Sequence, residues 1–260
     1  MDFDICCEFG YELALVLPYV YYLHINDKLK STISSKNTKE LYYFSENHSE
    51  KYDVRKYNII NTLPNINLSQ SSFNYDEYLP PPYKNIFKNS EFVFEKPLLI
   101  IQNKYNIEWG KPPINFIDRD TISKIFQMCN DTFTIVYNRP KSKNIVDDNS
   151  QILDLKEEDL LKKYNIIDAN ELYEKYKEKY NFNHFQLLLH ANCDHFISVQ
   201  GGTSAFCSYF GGKNIIFATC GSEVKYNLYD TLFKKLSNSE IFHTNNYNSL
   251  IQIVKEKYLK

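Results

Sequence analysis

The chain has 260 residues but only seven glycines, three arginines and one tryptophan. Its six cysteines form no Cys-x-x-Cys pair. That spacing excludes the common zinc-ribbon and thioredoxin-like arrangements. Cys6, Cys7, Cys129, Cys193, Cys207 and Cys220 read as reduced, buried residues of a cytoplasmic protein. No apolar run reaches the roughly 18 residues of a membrane helix, and no basic-then-apolar leader opens the chain. Neither a membrane span nor an export signal is expected. The sequons at Asn47, Asn67 and Asn130 then read as chance in an asparagine-rich chain. A net charge of −2 supplies no field for nucleic acid. Neither G-x-G-x-x-G nor G-x-x-x-x-G-K-[ST] occurs, which argues against a standard dinucleotide fold or a P-loop. No repeat with a period of roughly 20–50 residues is present.

What is there is globular. The chain is 43% hydrophobic and 24% charged, enough for one large core or two small ones. Residues 2–9 read as a strand ended by Gly10. Residues 11–24 follow with helical apolar spacing, and Pro18 predicts a kink. Short strands are expected near Ile33, over 41–44 and, more weakly, over 57–60. The tail of a polar stretch, Tyr78-Leu79-Pro80-Pro81-Pro82-Tyr83, reads as a stiff extended loop. A buried strand over 97–102 opens a second unit. A loop over 103–115 follows, then a helix capped by Asp118 or Asp120 and a strand over 133–137. Residues 141–160 read as a charged surface excursion, 169–180 and 183–193 as helices, and 228–236 and 247–259 as closing helices.

Strand–helix alternation in both halves predicts the α/β class, with two small units built on parallel sheets. The boundaries read as 1–95 and 96–245, followed by a C-terminal helix at 246–260 that could pack back on the N-terminal unit. Ligands of open parallel sheets sit beyond the carboxyl ends of the strands. The loops at Asn103–Gly110, Asn138-Arg139 and Gln200–Ser204 then share one edge.

Five of the seven glycines fall between 201 and 221. Gln200-Gly201-Gly202-Thr203-Ser204 lies between a strand and a helix, where freed backbone N–H groups and two hydroxyls suit a diphosphate. The structural alternative is a turn in which Thr203 or Ser204 simply caps the helix. Arg139, directly after a strand, suits bidentate phosphate contact, and Asn103 and Lys104 follow another strand. Trp109, the single tryptophan, could stack on a base or sugar or anchor its loop. Glu12, in the first turn of a helix, is a candidate general base, with Asp76 and Glu77 as rivals. Gly10, Tyr11 and the polar pair Asn47-His48 complete an acceptor side. Asp118-Arg119-Asp120 matches the D-x-D of metal-dependent glycosyltransferases but also opens a helix, where Asp is expected anyway. His190, Cys193 and His195 have irregular spacing and no fourth ligand, so no metal site is expected.

The run from Asp194 to Ser204, together with Phe210-Gly211-Gly212-Lys213-Asn214-Ile215-Ile216, resembles the donor-binding element of GT-B-type glycosyltransferases. Phe9-Gly10-Tyr11-Glu12-Leu13 and the stretch from Asn103 to Gly110 are similar to small glycosyltransferases, of xylosyltransferase type, in large DNA viruses and algae. The resemblance implies two Rossmann-like domains facing a cleft. The C-terminal domain would grip a nucleoside-diphosphate sugar, as co-substrate and not cofactor, through Gly201, Gly202, Thr203 and Ser204. The N-terminal domain would bind a glycan acceptor, with Glu12 or Asp76 as the base and no obligatory metal. At this length, strands or helices of the two full domains must be missing.

Overall fold

The computed structural model describes residues 1–56, 74–108, 110–146 and 150–260. The strand expected at 57–60, the Asn67 sequon and Trp109 lie outside the described residues. The strands are β1 (Asp2–Asp4), β2 (Ser31–Ser35), β3 (His48–Tyr52), β4 (Leu98–Gln102), β5 (Asn106–Ile107), β6 (Thr134–Asn138), β7 (Gln151–Ile152), β8 (Ile167–Asp168), β9 (His195–Val199), β10 (Lys213–Phe217) and β11 (Glu240–Thr244). The α-helices are α1 (Phe9–Tyr11), α2 (Leu17–Ile25), α3 (Tyr83–Phe87), α4 (Arg119–Cys129), α5 (Glu158–Lys163), α6 (Ala169–Glu174), α7 (Phe182–Ala191), α8 (Gly202–Ser208), α9 (Ser222–Lys225), α10 (Leu232–Ser237) and α11 (Tyr247–Tyr258).

The N-terminal residues form a parallel sheet of order β1-β2-β3. Between β1 and β2 the chain runs helically from α1 through a π-helical turn, Glu12–Val16, into α2. Pro18 has no N–H to close a bond to the carbonyl of Ala14, and the Tyr78 hydroxyl donates to that oxygen at 2.7 Å instead. Within the π turn the Leu17 N–H reaches back to Glu12, and the Leu13 carbonyl accepts from the Tyr209 hydroxyl at 2.5 Å. The irregular helix is therefore stitched to residues far along the chain. The run 41–44, expected as a strand, is a turn. Leu41, Tyr42 and Phe44 bury their apolar groups without extended backbone, and the third strand forms from His48 instead.

The second sheet has the order β11-β10-β9-β4-β6-β8, all parallel. From β4 the chain winds outward through β6 to β8, then returns to β9 on the other side of β4 and winds outward again. This is the doubly wound order of dinucleotide-binding folds, with its switch point between β4 and β9. The sheet reaches that order without the glycine fingerprint, because its first strand–helix connection is the long loop between Gln102 and Asp118. Among the described residues the N-terminal sheet has three strands and the second sheet six.

Alternation along the strands divides the apolar residues between two cores. Leu99, Ile101, Ile197, Val199, Ile215 and Phe217 face α4 and α11. Leu98, Ile100, Phe196 and Ile216 face α7, α8 and α10, in one continuous core with Phe3, Ile5, Leu13, Val16, Leu41 and Tyr42 of the N-terminal unit. The C-terminal helix does not return to that unit. Leu250, Val254 and Tyr258 of α11 are buried against α4, β10 and β11, where the Tyr258 hydroxyl donates to the Phe196 carbonyl at 2.7 Å. All six cysteines are free, and Cys220, against expectation, is exposed. Among the described residues no helix is long and apolar enough to cross a membrane.

Candidate active site

A cavity of about 1160 Å³ opens at the carboxyl ends of β4, β6, β9 and β10, and residues at the start of α1 line its other side. The three loops expected to share one edge do so: Asn103, Lys104, Arg139, Gln200, Gly201, Gly202 and Thr203 all line it, opposite Gly10 and Tyr11.

The glycine turn is built for close approach. Gly201 has φ +109°, a conformation that side chains rarely adopt. A Cβ on Gly10 would lie 2.9 Å from the Gly202 nitrogen, and one on Gly202 would lie 3.2 Å from Cδ1 of Phe9. The two glycines thus let the starts of α1 and α8 touch, backbone to backbone. No side chain caps α8; the Ser204 N–H turns to the Gly201 carbonyl at 3.1 Å, and the Gly202 and Thr203 N–H groups have no acceptor among the described residues. The hydroxyls do not serve as expected. Thr203 Oγ1 donates to the Val199 carbonyl at 2.7 Å and Ser204 Oγ to the Gly201 carbonyl at 2.8 Å. Ser204 is fully buried and lies outside the cavity wall.

Lys104 stands beside the turn. Its Nζ is 3.5 Å from the point where a Gly201 Cβ would sit, and it bonds both carboxylate oxygens of Glu108 at 2.8 and 2.9 Å. Arg139 is held by Glu157 Oε1 at 2.5 Å and the Leu153 carbonyl at 2.7 Å, so its guanidinium anchors the charged excursion. Asn103 pins the long loop: its Oδ1 accepts from the Ile117 N–H at 2.9 Å and its Nδ2 donates to the Ile117 carbonyl at 3.0 Å. Gln200 accepts from Asn115 at 2.8 Å and donates to Glu223 at 2.7 Å.

Four expected site residues lie elsewhere. Glu12 is fully buried in the π turn. Its Oε1 accepts from Ser34 at 2.6 Å and from Tyr42 at 2.7 Å, and its Oε2 pairs with Arg55. It is a counter-ion of the N-terminal unit, with no free face for a hydroxyl. Asp76 is exposed in the 3-10 turn Tyr75–Glu77 and its neighbour Glu77 is half-buried there, and neither lines the cavity. His48 stacks on Tyr42 at 4.8 Å, with Nδ1 2.8 Å from Thr32 Oγ1. Burial pushes its imidazole pKa down, and it too is outside the cavity. Ser204 is the fourth. Asn47 only braces Lys30. Asp118 caps α4 by accepting from the Thr121 N–H at 2.8 Å, and Asp120 is exposed in the first turn, so the D-x-D belongs to a helix start outside the cavity.

Sequence reasoning missed two carboxylates that do line the cavity, Glu8 and Glu223. Glu8 caps α1 by accepting from the Gly10 and Tyr11 N–H groups, each at 2.9 Å. Burial raises its carboxyl pKa, the two N–H bonds oppose the rise, and Glu223 adds to it. Its place just before Gly10, at the end of the first extended run, was the available signal. The cavity floor carries a buried chain of amides ending on His190. Burial lowers the pKa of His190 to about 3. A folded-state value depressed below the usual ~6.5 means that stability is full above that pH and falls as pH drops towards 3. Urea unfolding at pH 7 and pH 5 should therefore show a loss at the lower pH that a His190→Gln variant lacks.

No family model matches the chain, and no curated protein matches it. Among the described residues no group of three or more His, Cys, Asp or Glu side chains is placed to hold a metal ion.

Proposed function

We propose that the chain is a glycosyltransferase of GT-B type. It holds a nucleoside-diphosphate sugar at the switch point between β4 and β9 and passes the sugar to a hydroxyl of a glycan acceptor bound against the N-terminal unit. The observation that carries the reading is the strand order, which brings the glycine turn and Lys104 to one crevice opposite Glu8, Gly10 and Tyr11. In this reading the Gly202 and Thr203 N–H groups at the start of α8 and the Lys104 ammonium meet the diphosphate, and Arg139 steadies the wall behind them. Glu8, the N-terminal carboxylate that reaches the cavity, takes the hydroxyl proton. The acceptor oxygen bonds to the anomeric carbon as the bond to the diphosphate oxygen breaks, with inversion. Six free cysteines fit a cytoplasmic setting.

Calorimetric titration with nucleoside diphosphates and nucleotide sugars tests this. Saturable binding is expected, and Lys104→Ala should weaken it about tenfold, roughly 1.4 kcal/mol. Absence of saturable binding to every such ligand would sink the proposal. The internal hydrogen bonds of Arg139, Gln200 and Thr203 favour one other reading, a non-catalytic nucleotide- or glycan-binding protein. A transferase slowly hydrolyses its donor without acceptor, whereas a binding module leaves the donor intact in the same mass-spectrometric assay.

A further inference from the structure

The cavity floor includes a side chain at the carboxyl end of β4 and one from α7. Gln102 ends β4, in register with Asn138 of β6 on one side and Ser198 of β9 on the other. It lies at the switch point and lines the cavity, as does Gln186 of α7. These two side chains, and Asn138 behind them outside the cavity wall, are almost wholly out of solvent: Gln102 is 1% exposed, Asn138 0% and Gln186 6%.

The orientation of these amides is fixed by one imidazole. His190 Nδ1 is 2.7 Å from the Gln186 carbonyl, which can only accept, so Nδ1 carries the proton. His190 Nε2 is then an acceptor, and the group facing it at 2.8 Å must be the Gln102 NH2. The same NH2 lies 3.4 Å from Gln186 Oε1, which also accepts from Asn138 Nδ2 at 2.8 Å. The NH2 groups of Gln102 and Asn138 both donate into this chain of acceptors. The oxygens are left over: neither Gln102 Oε1 nor Asn138 Oδ1 has a hydrogen-bond partner among the described residues. Rotating the Gln102 amide would set its oxygen against two acceptors, His190 Nε2 and Gln186 Oε1, and leave His190 Nε2 without a donor. Buried acceptors without donors are rare in folded proteins and point to something that completes them.

We propose that Gln102 Oε1 is the acceptor that reads sugar hydroxyls of the ligand in this cavity. The proposal rests on the reading of the cavity as a nucleotide-sugar site. The missing partners are hydrogen-bond donors without charge, since an ammonium would compete with Lys104 for the same ligand anion. Hydroxyls of the ribose and of the transferred sugar share this chemistry. A site built to bond a hydroxyl rejects an analogue lacking it far more strongly than a site that only packs against it.

The test follows the side-chain NH2 signals of Gln102 and Asn138 by ¹⁵N–¹H NMR on the full chain, assigned by their loss in Gln102→Met and Asn138→Leu. The probes are uridine and guanosine diphosphates, their dideoxy counterparts, and free D-xylose and D-glucose. The wild-type spectra stand even if a variant fails to fold. A shift with a diphosphate, absent with its dideoxy form and matched by at least tenfold weaker binding of that form, supports the proposal and assigns the ribose. A shift with the free sugars supports it and assigns the transferred sugar. If free sugars shift the signals while no diphosphate binds, the floor is a sugar subsite and the nucleotide reading falls. If diphosphates bind but neither signal moves with any probe, the nucleotide reading stands and this proposal is overturned, the floor holding water only. If no probe binds, both are overturned.

Discussion

Replacing Gly212 by alanine should cost about 3 kcal/mol or more of folding free energy and lower Tm by roughly 6–12 °C. Two effects add. Gly212 has φ +64°, where an L side chain is strained by roughly 1–2 kcal/mol. The added Cβ would also lie 2.2 Å from the Asp194 carbonyl oxygen and 2.7 Å from its carbon, and backbone cannot rotate away as a flexible side chain does. That carbonyl accepts from the Lys213 N–H at 2.9 Å, and the Gly212 carbonyl accepts from Glu240 at 2.8 Å. The clash therefore falls where β9, β10 and β11 all begin. Gly211 is the control: its φ is +69°, but the nearest atom to an added Cβ is 3.8 Å away. Gly211→Ala should show the backbone strain alone, roughly 1 kcal/mol. Equal thermal melts for the two variants would refute the steric part of this account.

The contrast between neighbouring glycines shows how far a sequence reaches. Scarcity of glycine flagged 201–221, and every glycine there has positive φ except Gly202. Their spacing does not distinguish a turn that frees N–H groups for a ligand from one that lets two chains touch. Gly202 is the telling case, because the backbone that it approaches belongs to Gly10, far away in sequence. A valine at Gly202 would drive Phe9 and Gly10 away, so that substitution probes packing before it probes any ligand. The long buried strands were legible because β4, β6 and β10 each carry at least three consecutive apolar residues and β9 is broken only by Ser198 after Phe196 and Ile197. β8, with two residues, and β11, whose exposed Glu240 and His243 interrupt the pattern, were not. The loops at one edge were legible from connectivity alone, since parallel strands put every strand–helix loop on the same side. Which carboxylate faces the cavity was not. Glu8 and Glu12 sit four residues apart at the start of one irregular helix, and the π turn together with the buried Arg55 decides which of them turns inward.

Glu12→Ala should accordingly destabilise the fold by about 3–5 kcal/mol, the usual cost of removing one partner of a buried ion pair. Arg55 has a 4% exposed side chain, and among the described residues its remaining contacts are the Cys7 carbonyl at 3.1 Å and the face of Phe9 at 4.8 Å. None of these neutralises its charge. Ser34 and Tyr42 would also lose the acceptor that both now share. The double variant Glu12→Leu with Arg55→Met removes both charges and replaces them with apolar groups of similar size. It should recover most of the loss, because the penalty lies in the orphaned charge and not in the absence of the pair. Urea midpoints for the two single variants and the double variant give the coupling directly, expected at 2 kcal/mol or more on the scale of buried pairs. A catalytic Glu12 would behave in the opposite way: its loss would spare the urea midpoint, and removing Arg55 as well would restore nothing. Cys7, Glu8 and Phe9, which Arg55 fastens beside the pair, lead directly into Gly10. The network that Glu12 anchors therefore sets where the start of α1 meets the glycine turn, and its effect on the cavity is mechanical.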